Sequence, residues 1–161
     1  MQIEMTIKGL MVDPITSMPI VILRDDTGDR VLPIWVGVFE ANAIAIQIEN
    51  ITTPRPMTHD LLGNLIAGLD GTVEKIVVSD LKENTFYALI YVRIRGDVVA
   101  VDARPSDAIA LALRVSAPIF VEDEVMDNAK SLEFAPGKSD SERLTRWLES
   151  LDPEDLGRYK M

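Results

Sequence analysis

Asp102, Arg104 and Asp107 bring two carboxylates and a guanidinium together within six residues. Carboxylate oxygens are ligands for divalent cations, and a guanidinium binds phosphate through paired N–H donors. A structural alternative explains the same residues. Pro105 suits the first turn of a helix, Ser106 or Asp107 can satisfy free backbone N–H groups there, and Arg104 can pair with Asp102. The sequence leaves open whether this is a metal and phosphate site or a charged helix start.

A second stretch begins with Arg55 and repeats the order of a base, a proline and polar residues that open a helix. His59 is the only histidine in the chain, so any imidazole general base must be this residue. Asp60 stands beside it as a second candidate for activating a nucleophile. The alternative is that Thr58 caps the helix, Asp60 complements its positive end, and His59 is a first-turn surface residue.

Two further charged residues join the candidates. Arg55 lies between Pro54 and Pro56, which restrict its backbone and direct its side chain, so it can bind a phosphate or an acid of the other stretch. Glu40 opens a largely apolar helix. It is either a third metal ligand or a charge that is favourable at a helix start.

These residues must be positioned by strands, which β-branched and aromatic runs predict, and by helices rich in alanine and leucine. The order strand-strand-strand-helix occurs twice, at an offset of 65 residues that sets Glu40 opposite Pro105. The strand-to-helix junction of the first half then carries few charges, so any site built from the two halves is asymmetric. We predict a single α+β domain with a mixed sheet covered by helices and a duplicated βββα half-unit. The predicted strands are residues 3–12, 19–23, 30–36, 72–81, 85–94, 98–101 and 118–121, and the predicted helices are 38–48, 58–69, 105–115 and 139–151, with a short helix or turn at 122–129.

Composition limits the classes of function. The 161 residues carry a net charge of −10, which disfavours passive binding to nucleic acid and suits carboxylate sites for cations. There is no cysteine, which excludes disulfides, thiolate zinc sites and thiol nucleophiles. The N-terminus lacks the pattern of an export signal, and no apolar run approaches a membrane span of about 18 residues. We expect a cytoplasmic protein that does not enter membranes.

Four segments, in this order along the chain, carry a resemblance to a known family. They are Leu32–Gly37 with Glu40–Ala41, Arg55–Leu62, Asp80–Leu81 with Asn84–Ala88, and Asp102–Ile109 with Pro118–Val121. Together they resemble the bifunctional nuclease family of bacteria and plants, over about residues 3 to 130. We divide the chain into a bifunctional-nuclease-like domain at 1–135 and a C-terminal helix with an acidic tail at 136–161.

The resemblance implies a homodimer that cleaves RNA and DNA with little sequence preference. For such a nuclease we predict catalytic roles for His59, Asp60 and Asp107, nucleic-acid binding by Arg55 and Arg104, and Mg²⁺ or Mn²⁺ held by Asp102, Asp107 and Glu40. The two charged stretches must then meet in space. Trp35, Phe86 and Tyr87 can stack on bases or can be core residues.

The alternative function is a non-catalytic, homo-oligomeric binding or regulatory module. In that case Arg55 and Arg104 neutralise buried acids, and the charges form a structural network around the helix starts. The net charge of −10 and the single histidine favour this alternative.

Overall fold

The computed structural model of the chain describes residues 1–129 and 132–133. The helix predicted at 139–151 and the acidic tail lie outside the described residues. Within the described part the strands are β1 (Gln2–Val12), β2 (Pro19–Asp25), β3 (Arg30–Trp35), β4 (Gly71–Lys82), β5 (Thr85–Ile94), β6 (Asp97–Ala103), β7 (Ile119–Glu122) and β8 (Leu132–Glu133). The helices are α1 (Val38–Ile48), α2 (Thr58–Gly68), α3 (Pro105–Val115) and α4 (Asp123–Asn128).

All eight strands belong to one sheet, in the order β6-β5-β4-β7-β1-β2-β3-β8. Neighbouring strands are antiparallel, except that β4 and β7 run parallel. Two antiparallel three-stranded units, β1–β3 and β4–β6, are therefore joined through β7. This arrangement confirms the predicted α+β class with a mixed sheet.

Each three-stranded unit is followed by a helix of 11 residues, α1 in the first half and α3 in the second. The two helices begin at Val38 and Pro105, so they are related by an offset of 67 residues and not by the predicted 65. At the correct offset Glu40 is equivalent to Asp107, and both are the third residue of their helix. The first junction thus carries an acid at the same place as the second.

Helix α3 lies at the centre of the core, in contact with α1, α2, β4 and β5. Ala108, Ala110 and Ala112 are buried, and their small side chains allow neighbouring elements to approach closely. Ile109 and Leu111 fill the remaining space and are fully buried. Truncating such a residue to alanine costs about 2–5 kcal/mol. The start of α3 is therefore held on a rigid support.

None of the helices in the described residues is long and apolar enough to cross a membrane.

Candidate active site at three helix starts

The first turns of α1, α2 and α3 meet around one open cleft of about 340 Å³. Glu40 from α1, His59 from α2 and Asp107 from α3 line it. Helix α2 comes close to α3 at Gly63, where an added Cβ would lie 3.3 Å from Val115 Cγ1. The two charged stretches of the sequence therefore meet, as a shared site requires.

His59 and Asp107 form the shortest link between these helices. His59 Nε2 lies 2.9 Å from Asp107 Oδ1, although 48 residues separate the two in sequence. An ionised carboxylate can only accept a hydrogen bond, so Nε2 is the donor, and in the neutral imidazole Nδ1 then carries the lone pair. The His59 side chain is only 12% exposed. The interpretation of His59 as a first-turn surface residue is therefore wrong.

Arg104, which precedes α3, links the two equivalent acids. Its Nη1 lies 2.8 Å from Glu40 Oε1 and 3.9 Å from Asp107 Oδ2. The Arg104 side chain is 49% exposed, so other N–H donors of its guanidinium face solvent. The pair between Arg104 and Asp102 that the structural alternative assumed is not among its ion pairs in the described residues. We call Glu40, His59, Arg104 and Asp107 the cleft cluster.

Glu40 is held ionised in this cluster. Its own backbone N–H, followed by the Arg104 guanidinium and His59, lowers the pKa of Glu40 below its ordinary value, against the opposing effect of burial. Gly37 leaves room for the Glu40 carboxylate, since an added Cβ on residue 37 would collide with it. The cleft thus combines two carboxylates with one exposed guanidinium.

Asp60 has other partners than His59. Its Oδ2 accepts the backbone N–H of Met57 at 2.9 Å, and its Oδ1 accepts Nε–H of Arg114 at 2.8 Å. The Met57 N–H and then Arg114 lower the pKa of Asp60, although burial opposes them. Met57 is the residue that caps α2, and the predicted cap Thr58 is the first residue of the helix. The Asp60 carboxylate accepts a backbone N–H at the start of α2 and is not placed to orient the imidazole.

Arg114 was not a candidate from the sequence, where it resembles an ordinary basic residue in the last turn of a helix. Its side chain is 6% exposed. Besides Asp60 it donates to the backbone oxygens of Ala110 at 2.8 Å and Ala43 at 3.0 Å. It therefore ties α1, α2 and α3 together. We call Asp60 and Arg114 the buried pair.

Arg55 is exposed and lies outside the cleft cluster. It lines a second, shallower depression of about 320 Å³ together with Thr52, Thr53 and Asp60. Arg114 lines the first cleft, so the buried pair separates the two depressions. Arg55 is thus adjacent to the cleft and not within it, and its binding of nucleic acid stays a prediction.

The predicted metal ligands do not come together. In β6, Ala103 is opposite the buried Ala88, whereas Asp102 is opposite Leu89. Because side chains alternate along a strand, Asp102 lies on the sheet face away from the helices. Across residues 1–129 and 132–133, no group of three or more histidine or acidic side chains has a geometry that could hold a metal ion. The donors present do not fit the predicted site of Asp102, Asp107 and Glu40.

The aromatic candidates for base stacking also need correction. Trp35 and Phe86 are each 2% exposed and belong to the core. Tyr87 is 41% exposed, but it follows Phe86 in the strand and so lies on the face away from the helices. Phe39 is the aromatic residue at the cleft, and it is 88% exposed. Phe39 precedes Glu40 in the first turn of α1, and this position beside a candidate site residue could have identified it from the sequence.

Comparison with known proteins adds a family to this geometry. The family described as the Bifunctional nuclease domain matches residues 21–133. An uncharacterized protein of Mycobacterium tuberculosis is 41% identical, and the match covers 95% of this chain and 97% of that protein. Bifunctional nuclease 1 of Oryza sativa subsp. japonica is 26% identical over 76% of this chain and 38% of its own length. Bifunctional nuclease 2 of Arabidopsis thaliana is 28% identical over 63% and 32%. The chain thus spans about a third of each of these two plant proteins.

Proposed function

This chain belongs to the bifunctional nuclease family, and we propose that it hydrolyses phosphodiester bonds in RNA and DNA with little sequence preference. One observation carries the proposal: the single histidine is held by Asp107 at 2.9 Å inside an open cleft. An imidazole with one nitrogen bound to a carboxylate and the other free is the arrangement of a general base.

In the proposed reaction, Nδ1 of His59 removes a proton from a water molecule in the cleft. The water oxygen forms a bond to phosphorus while the bond from phosphorus to the leaving oxygen breaks, and that oxygen takes a proton from solvent. Asp107 holds the imidazole in position and stabilises the imidazolium as it forms. A positioned base of this kind accelerates a reaction by about 10²- to 10⁴-fold.

Arg104 supplies the positive charge that the reaction requires. Negative charge grows on the phosphate oxygens in the transition state, and a guanidinium with free donors at the cleft stabilises it. Glu40 accepts one of the N–H groups of Arg104 and so aims the others. Glu40 is therefore a positioning residue in this proposal and not a ligand of the substrate.

Substrate binding extends from the cleft to the depression around Arg55. We propose that Arg55 binds a neighbouring phosphate of a single strand and that the exposed ring of Phe39 stacks on a base. These contacts involve the backbone and the faces of bases, which every nucleotide offers, so they select little for sequence. The net charge of −10 opposes binding elsewhere on the surface.

Divalent ions have a limited part in this proposal. Because the acidic residues in the described part of the chain do not assemble a metal site, no proton or charge transfer is assigned to a metal held by them. Mg²⁺ or Mn²⁺ would enter with the phosphates of the substrate, whose charge it screens.

The test is a nuclease assay on single-stranded RNA and DNA with the wild-type chain and with His59→Ala. We expect activity that follows the protein through two unrelated columns and falls at least about 100-fold in His59→Ala. Asp102→Asn is the matched control, since this acid lies on the other face of the sheet, and it should retain wild-type activity. Activity that survives His59→Ala, or that separates from the protein on the second column, would overturn the proposal.

The second candidate is a non-catalytic binding or regulatory module, which the buried pair favours. Arg114 donates to Asp60 and to two backbone oxygens, so part of the charge between the helices is structural. If the cleft cluster were structural as well, changing His59 would lower the stability of the protein and no nuclease activity would co-purify. The same assay therefore separates the two functions.

A further inference from the structure

The cleft and the depression around Arg55 follow one another along one face of α1. Phe39 and Ala43 line the cleft, and Ile46 and Gln47, three and four residues beyond Ala43, line the depression. At a rise of about 1.5 Å per residue, the centres of the two spaces are about 8 Å apart along the helix. Their opposite walls are also continuous in sequence, since residues 51–56 line the depression and residues 57–59 line the cleft.

The buried pair forms the wall between the two spaces. Arg114 lines the cleft, Asp60 lines the depression, and the hydrogen bond of 2.8 Å between them closes the partition. The volumes are about 340 Å³ and about 320 Å³. Both are at the lower end of the range of ligand pockets, about 300–1,000 Å³. Each space therefore suits one nucleoside and not a stack of several.

Each space offers an apolar surface for a base and one guanidinium for a phosphate. In the cleft these are the exposed ring of Phe39 and the Arg104 side chain at its mouth. In the depression they are Ile51, which is 51% exposed, and Arg55. The loop that carries Arg55 is held in shape, because Thr53 Oγ1 donates to the backbone oxygen of Arg55 at 3.0 Å.

The elements around the two spaces provide no basic track for a longer strand. Helices α1 and α2 contain neither lysine nor arginine, and the loop of residues 49–57 between them contains Arg55 alone. In α3 the basic residue is Arg114, whose side chain is 6% exposed in the partition. A strand that continued past the depression along α1 would meet the carboxylate of Glu49, which is exposed. With a net charge of −10, the chain repels a polyanion elsewhere.

We propose that the substrate class of this site is the very short single strand, of which two bases and two phosphates are held and nothing further. The inference rests on the proposed phosphodiester hydrolysis for its chemistry, but not for the length it assigns. One phosphate lies at Arg104 and His59, where it is cleaved, and its neighbour lies at Arg55. The step of about 8 Å exceeds the rise of about 3.4 Å between stacked nucleotides, so the two bases lie apart on either side of the buried pair.

This substrate class defines the place of the reaction in a sequence of reactions. Short strands are the products of nucleases that cut long chains, and a site for two phosphates would consume those products. A nuclease that acts on long chains by contrast gains affinity from many phosphate contacts, about 6–10 in a typical nucleic-acid-binding protein.

The first measurement is calorimetric titration of the full chain with oligothymidylates of two, three, six and twelve nucleotides, whose phosphorothioate linkages resist cleavage. Three nucleotides should bind about tenfold more tightly than two, because the second linkage adds the contact with Arg55. From three to twelve, the association constant divided by the number of positions at which the strand can bind should change by less than about twofold. A rise of more than about tenfold over that range, or no binding of any strand, would overturn the proposal.

Salt dependence counts the phosphates independently. For single strands the logarithm of the association constant falls against the logarithm of the salt concentration with a slope of about −0.7 per phosphate contact. Two contacts give a slope of about −1.4 for the strand of twelve nucleotides. A slope of about −4 or steeper would mean about six contacts or more and would contradict the length limit.

Arg55→Gln tests which residue provides the second contact. In this variant three nucleotides should bind no more tightly than two, so the tenfold gain is lost. Arg95→Gln is the matched control, because Arg95 is an exposed arginine beyond the other end of β6 from Arg104, at least about 20 Å away. It should keep the tenfold gain. A gain that persists in Arg55→Gln would remove Arg55 from the site and overturn the proposal.

Cleavage of the same series with ordinary phosphodiester linkages separates this proposal from the proposed function. We expect kcat/KM per bond to be equal within about threefold for three and twelve nucleotides. If the strands bind as described and none is cleaved, the hydrolysis fails and the short-strand site stands. If cleavage occurs and kcat/KM per bond rises more than about tenfold with length, the hydrolysis stands and the short-strand site fails.

Discussion

The cleft cluster and the buried pair both connect α1, α2 and α3, but they differ in what their charges face. The Arg114 side chain is 6% exposed, and its guanidinium nitrogens donate to Asp60 and to backbone oxygens. The Arg104 side chain is 49% exposed and shares its charge between two carboxylates at the mouth of a cleft. Three of the five N–H donors of this buried arginine hold the fold together. A half-exposed arginine beside a base with a free nitrogen can also act on a ligand.

The largest expected effect on stability separates the two arginines. Arg114→Met should lower the free energy of unfolding by about 3 kcal/mol, because it leaves the carboxylate of Asp60 without its buried partner. The matched change Arg104→Met should cost less than about 1 kcal/mol, as is usual for exposed ion pairs. Urea unfolding measures both. Equal losses in the two variants would remove the distinction between the cluster and the pair.

The cleavage rate should rank the two arginines in the opposite order, with the larger effect at Arg104. Arg104→Met should slow phosphodiester cleavage by about 10²-fold, since one donor to the transition-state charge is lost. Arg104→Lys keeps the charge without the planar fork and should recover part of the rate. Initial rates on a single-stranded oligonucleotide provide the measurement. Wild-type rates in Arg104→Met would assign this arginine a structural role only.

A smaller effect is expected on the stability of the fold at acid pH. The folded protein lowers the pKa of Asp60 and of Glu40 below their ordinary values of 3.8 and 4.5. A lowered pKa means that the ionised carboxylate stabilises the fold fully above the ordinary pKa, and that this stabilisation is lost as the pH falls through the lowered value. Asp60→Asn should therefore unfold at less urea than the wild type near neutral pH.

The difference between Asp60→Asn and the wild type should narrow below about pH 4. Glu40→Gln should show the same trend. A difference that stays constant from about pH 7 to about pH 3 would mean that ionisation of these carboxylates does not support the helix starts.

The smallest expected effect is that of removing divalent ions. Because the carboxylates of Asp102, Asp107 and Glu40 do not form one metal site, treatment with EDTA should change the cleavage rate by less than about threefold. Dialysis followed by an assay with and without added Mn²⁺ makes the comparison. Complete loss of activity in EDTA that Mn²⁺ restores would show that a metal does take part.

Much of the fold was predictable from local sequence. The alternation in β5 and the alanine- and leucine-rich pattern of α3 gave bounds that match the structure at residues 85–94 and 105–115. Glu40, His59, Arg104 and Asp107 were all candidates, because each is a charged or titratable residue at the start of a helix. The side of the strand on which Asp102 lies depends on its pairing with Leu89, which only the assembled sheet determines.

Arg114 was missed for a similar reason. A basic residue in the last turn of a helix has a sufficient local explanation, and nothing nearby in sequence indicates that Asp60, 54 residues away, accepts its hydrogen bond. The offset of 65 failed because low identity allowed two alanine-rich stretches to be aligned two residues out of register. Helix starts, with Val38 and Pro105 at equivalent places, align the halves correctly.

The central claim is that Asp107 holds His59 as a base in the cleft, and Asp107→Asn tests it most directly. Asparagine keeps the shape of the side chain but removes the charge that selects the tautomer and stabilises the imidazolium. We predict that phosphodiester cleavage falls by about 10²- to 10⁴-fold while the midpoint of thermal unfolding changes by less than about 3 °C. A variant that cleaves within about twofold of the wild-type rate would contradict the account.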